Sequence, residues 1–153
     1  MNFGLLSAIV WALAFTLAGC GEAHDHSEHD HDMSDMGDVG GMCEGASTLT
    51  VDDLTLTLST EPAMIPLNEL FTLTVRALDA DGNALDGTLT FDATMPAHGH
   101  GMNVEPVLSS TETGVFVVEG VNFHMPGTWK LDFTFESDGT TLTVSADYEC
   151  TEG

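Results

Sequence analysis

Phe71-Thr72-Leu73-Thr74-Val75-Arg76-Ala77 alternates apolar and polar side chains without a break. Successive side chains of a strand point to opposite faces, so this alternation predicts a strand with one face in a core and the other in water. The same period recurs on either side of it. Upstream, Leu54, Leu56 and Leu58 alternate with Thr55 and Thr57. Downstream, Leu89, Phe91 and Ala93 mark a third strand, residues near 103–108 a short fourth, and Val115 to Val121 a fifth. Trp129, Leu131, Phe133 and Phe135 alternate with Lys130, Asp132 and Thr134 in a sixth, and Leu142, Val144, Ala146 and Tyr148 line a seventh. Asp79-Ala80-Asp81-Gly82-Asn83 and Ser137-Asp138-Gly139 have turn chemistry. No stretch carries a competing helical period. Seven short strands at regular spacing over residues 47–153 predict an all-β, immunoglobulin-like, seven-stranded antiparallel β-sandwich. In that topology the third and sixth strands are antiparallel neighbours, so the loop leaving Thr94 and the loop entering Thr128 are expected at one end of the sandwich.

Those two loops carry the chain's densest metal-ligand chemistry outside its N-terminal segment. The first reads Met95-Pro96-Ala97-His98-Gly99-His100-Gly101-Met102, the second Phe123-His124-Met125-Pro126-Gly127. Gly99 and Gly101 tolerate the backbone bend that turns two imidazoles toward one point. Imidazole with thioether is a softer ligand set than carboxylate with imidazole, and it favours copper, Cu(I) especially, over magnesium, calcium or manganese. His98, His100 and His124 are the first candidate ligands, with Met95, Met102 and Met125 competing for a remaining position. The competing reading is structural: His, Gly and Pro are ordinary loop residues, and methionines plug the ends of cores.

Two basic residues, Arg76 and Lys130, face 25 acidic ones in 153 residues, a formal charge of −23. Such a surface repels nucleic acid and anionic membrane surfaces, and makes cations the natural small partners. Acidity also confers solubility, so the sign alone names no ligand. Gly-x-Ser-x-Gly, His-Glu-x-x-His and phosphate-loop motifs are absent from the sequence, and a single Arg and a single Lys leave little to hold an anionic substrate. The expectation is a binding protein rather than an enzyme. A blue-copper electron carrier would need Cys, His and Met near the last strands, and Cys150 has no histidine close in sequence.

Residues 1–19 form an apolar run closed by small residues before Cys20, the layout of a secretory signal. Leu17-Ala18-Gly19-Cys20 resembles the bacterial lipobox, in which the cysteine is lipidated and opens the mature chain. The expected protein is therefore extracytoplasmic and lipid-anchored, in the outer membrane facing the periplasm or at the cell surface. The absence of Lys or Arg ahead of the run departs from the usual signal, and a simple transmembrane anchor is the competing reading, although the run falls short of the roughly 20 apolar residues a span needs. Residues 20–46 mix Asp, Glu, His, Met and Gly with almost no aliphatic side chains, the composition of a disordered tether. Its His24, His26, His29 and His31 form a secondary, low-selectivity metal-collecting tract, or simply part of a solvated acidic linker. Cys43 and Cys150, an even pair in an exported chain, predict one disulfide bracketing the domain; two thiolate ligands for a metal are the alternative. Closing a loop of about a hundred residues contributes about 4–5 kcal/mol in the chain-entropy model.

The run from Phe91 through Met-Pro-x-His-Gly-His-Gly-Met, followed downstream by Phe-His-Met-Pro-Gly-Thr-Trp-Lys-Leu-Asp-Phe, resembles the YtkA-like domain, related to the FixH-like proteins. The resemblance covers roughly residues 50–148 and implies an extracytoplasmic immunoglobulin-like sandwich linked to copper handling or oxidase assembly. His100-Gly101-Met102 is also similar to the His-x-Met piece of periplasmic copper chaperones, without the spacing of the rest of that motif. The expected function is copper binding, for buffering or for delivery to a protein partner that the sequence does not name. The alternative is a cell-surface interaction module whose His/Met loop is its structural tip, with a metal-collecting tail.

Overall fold

The computed structural model describes residues 40–153, and all of their regular structure is β. Eleven strands follow in order: β1 (Met42–Gly45), β2 (Thr48–Val51), β3 (Leu54–Glu61), β4 (Ile65–Pro66), β5 (Leu70–Leu78), β6 (Thr88–Met95), β7 (His100–Gly101), β8 (Val107–Glu112), β9 (Val115–Asn122), β10 (Gly127–Ser137) and β11 (Thr140–Thr151). They form two antiparallel sheets, ordered β4-β1-β11-β10-β6-β7 and β2-β3-β5-β9-β8. Stripped of the short strands β1, β2, β4 and β7, the sheets read β3-β5-β9-β8 and β11-β10-β6. That is the four-plus-three arrangement of an immunoglobulin constant-type sandwich, as the alternation predicted.

The core forms because the two alternating faces meet. Leu54, Leu56, Leu58, Phe71, Leu73, Val75, Ala77, Phe116 and Val118 from one sheet are buried against Leu89, Ala93, Trp129, Leu131, Phe133 and Phe135 from the other. The outward residues of the same strands are mostly polar, Thr above all, with Val115 and Val117 on β9 as apolar exceptions, and Lys130 pairs with Asp132 two positions along β10 at 2.7 Å. The Asp79 carboxylate closes the predicted turn by accepting the backbone N–H groups of Asp81 at 2.9 Å and Asn83 at 2.8 Å. The Asn83 side chain, first among its causes, holds the Asp79 carboxyl below its ordinary range.

The short strands β2, β4 and β7 add to the seven expected, and two further elements differ from expectation. The fourth strand begins at Val107, not near 103, because Pro106 lacks an N–H for a ladder. Its residues are nearly all exposed, so no alternation marked it. The chain also joins the sheet from Met42, within the stretch whose composition reads as a tether. Cys43 pairs with Cys150 across the β1–β11 ladder and is disulfide-bonded to it. The bond links two neighbouring strands of one sheet rather than the two sheets, and it removes the thiolate-ligand alternative.

The short β1 is held by the β11 and β4 ladders and by this bond. Replacing both cysteines with serine is expected to lower unfolding free energy by about 2–5 kcal/mol, read from guanidinium midpoints at unchanged m-value.

Candidate metal centre

The β6–β10 ladder sets the site. Thr94 pairs with Lys130 at its upper end, and both side chains face outward, so their neighbours Met95 and Trp129 both turn inward; each is buried, at 1% and 0% exposure. Beyond Met95 the chain folds back at once. The N–H groups of His98 and Gly99 both donate to the Met95 carbonyl, at 3.1 and 2.9 Å, and Gly99 sits at φ 69°, a left-handed value that glycine adopts without strain. His100 then pairs directly opposite Met95. Opposed residues of a ladder share a face, so the His100 ring is directed to the same side as Met95 and Trp129, with its centroid 6.1 Å from the indole.

The second loop is fixed by the same tryptophan. Phe123 is buried and stacked on Trp129, ring centroids 5.2 Å apart at 21°, a geometry that adds about 0.5–1.5 kcal/mol beyond area burial. The Trp129 Nε1–H donates to the Met125 carbonyl at 2.9 Å. Between these two anchors His124 stands edge-on to the indole at 5.2 Å and 5.3 Å from His100. Gly127, at φ 118°, closes the loop, and a Cβ there would come within 2.9 Å of the Met95 Cε. The positive φ is what calls for glycine here, because the flexible end of Met95 can give way to a Cβ.

The structure therefore brings His98, His100 and His124 to one end of the sandwich, with His100 in the middle, 5.7 Å from the exposed His98. An imidazole-bound ion lies about 2.0 Å from each nitrogen, which places two ligating rings about 5–6 Å apart; both spacings fit. Among the described residues no three His, Cys, Asp or Glu side chains form a ready-made ligand group, so a site here draws on thioethers or on rotation of His98. Met102 and Met125 are partly buried against the core, whereas Met95 is wholly inside it. Of the three candidate thioethers, Met102 and Met125 are the ones with access to solvent.

The electrostatics suit a neutral ligand. Burial, first, and the charge of His100, second, hold His124 below the ordinary imidazole range. Its Nδ1 is buried without a hydrogen-bond partner among the described residues, as is Oδ1 of Asn122 at the end of β9. Sequence reasoning missed Trp129 as the wall of the site, although the Met-Pro-Gly-x-Trp element contained it; nothing in the sequence marks Asn122.

A family model described as YtkA-like matches residues 48–134, more than half of the 153-residue chain. The chain belongs to the YtkA-like family. The match spans β2 to the middle of β10, and so includes both loops of this YtkA-like domain. No curated protein and no solved structure matches the chain. The candidate lipidation site Cys20, the signal stretch 1–19 and the tail histidines His24, His26, His29 and His31 lie outside the described residues. Among the described residues no helix is long and apolar enough to cross a membrane.

A lowered His124 pKa makes a signed prediction for the metal-free protein. Below pH 6.5 the unfolded chain takes up a proton that folded His124 refuses, so this residue's contribution to stability falls with pH until the folded pKa is reached, and then levels off. An NMR titration of the His124 ring is expected to give a midpoint below about 6.5, and His124→Gln to remove that segment of the stability profile.

Proposed function

We propose that this YtkA-like protein is an extracytoplasmic, lipid-anchored copper-binding protein. It buffers or delivers copper through a His/Met site at one end of the sandwich. The observation that carries the reading is the 5.3 Å approach of His100 and His124, two imidazoles from separate loops held against one buried indole. Thioethers on both loops give the set the softness that selects copper. A formal charge of −23 raises the local concentration of cations around it. The site is half-buried and built on rigid strands, the arrangement that preorganises ligands, and binding and release without chemistry is all these residues need to do. The tail histidines collect metal with low selectivity, and an unidentified protein partner receives it.

Binding is tested by titrating metal-free protein with Cu(I) and Cu(II) while following Trp129 emission, since the indole touches both rings. His100→Ala and His124→Ala are expected to weaken both oxidation states at least tenfold. Met102→Leu and Met125→Leu are expected to weaken Cu(I) selectively, because thioether serves Cu(I) and imidazole serves both. Parent-like binding by His98→Ala, His100→Ala and His124→Ala alike would leave the loops structural and favour the surface interaction module.

Anchoring rests on Leu17-Ala18-Gly19-Cys20. Intact mass of protein purified from membranes is expected to show a chain beginning at an acylated Cys20. A chain keeping residues 1–19, or an unmodified Cys20, removes the lipid anchor and leaves the site untouched.

A further inference from the structure

The two central imidazoles differ in which ring nitrogen is free. His100 Nδ1 lies 2.9 Å from the Gly101 carbonyl. A carbonyl only accepts, so Nδ1 must carry the proton and donate it, which leaves the lone pair on Nε2. A backbone carbonyl holding one ring N–H is the usual support for a histidine that ligates through its other nitrogen. His124 has the reverse arrangement. Its Nδ1 is buried and has no partner among the described residues. A proton there would be a buried donor with nothing to accept it, so the neutral ring is better served by protonation at Nε2 and a bare lone pair on Nδ1. A buried lone pair without a partner, on a ring whose centroid lies 5.3 Å from that of a second imidazole, is what a ligand nitrogen presents before its ion arrives.

We propose that the two histidines ligate a metal ion through opposite ring nitrogens, His100 through Nε2 and His124 through Nδ1. The proposal rests on the copper reading above and adds the atoms to it. The Gly101 carbonyl is then the positioning group for His100, and the Trp129 Nε1–H bond to the Met125 carbonyl performs the same service for His124 by fixing the backbone that carries it. Because Nδ1 is a buried atom, ligation through it sets the ion on the buried side of the His124 ring. A bound ion is thereby partly shielded from solvent and from adventitious ligands.

The test is side-chain NMR of the full chain labelled with nitrogen-15, loaded with a sub-stoichiometric amount of Cu(I) so that the tightest site fills first. His100→Gln and His124→Gln spectra assign the ring signals. Expected on loading are movement of His100 Nε2 and His124 Nδ1, with protons retained on His100 Nδ1 and His124 Nε2. Movement of His124 Nε2 with a proton on its Nδ1, the pattern if that N–H points at the indole face, overturns the proposal and leaves the copper reading standing. Movement of neither ring, with shifts confined to the tail histidines, overturns both.

Discussion

Because β6 and β10 run antiparallel over the seven paired positions from Thr88–Glu136 to Thr94–Lys130, the chain leaving one strand and the chain entering the other emerge at the same end of the sandwich. Everything proposed for the site depends on that ladder. The loops lie far apart in sequence, and neither contains enough apolar surface to order itself against the other. The strands order them, and Trp129 carries the order into the loops by stacking on Phe123, holding the Met125 carbonyl and backing His100 and His124. A single buried indole thus joins core stability to the placement of the two histidines.

The parts of this arrangement that were legible in the sequence are those written as alternation. Phe71 to Ala77 and Trp129 to Phe135 each bury every second residue, because a half-buried strand leaves no other pattern. Once the strands were placed, the topology and the meeting of the two loops followed. What was not legible lacks a period. β7 is two residues long and pairs with β6 because of a turn, not because of its own composition. β1 is held by a bond and two ladders inside a stretch whose composition argues against order. The burial of Met95 continues the Leu89, Phe91 and Ala93 alternation of β6 by one more step, a cue outweighed in the sequence by the histidines that follow it.

Met95 and Gly127 show how closely the core and the loops are coupled. The Met95 thioether ends against Gly127, where an added Cβ would come within 2.9 Å of its Cε and push it aside. Met95, one of the ligand candidates in the sequence, is wholly buried, while Met102 and Met125 are only partly buried against the core. A flexible, polarizable side chain suits such a position, because it adapts to small movements of the loop above it.

Gly127 pairs with Cys150, and Cys150 with Cys43, so the chain enters the domain through β1, and leaves it after β11, at the end where the histidines gather. The Ser137–Thr140 hairpin lies at the other end of the same strands. For anyone wishing to immobilise this domain or convert it into a sensor, the geometry makes the choice of handle. A bulky fusion at either flank would crowd the mouth of the site, whereas an attachment grafted at Asp138-Gly139 would present that mouth outward to the sample.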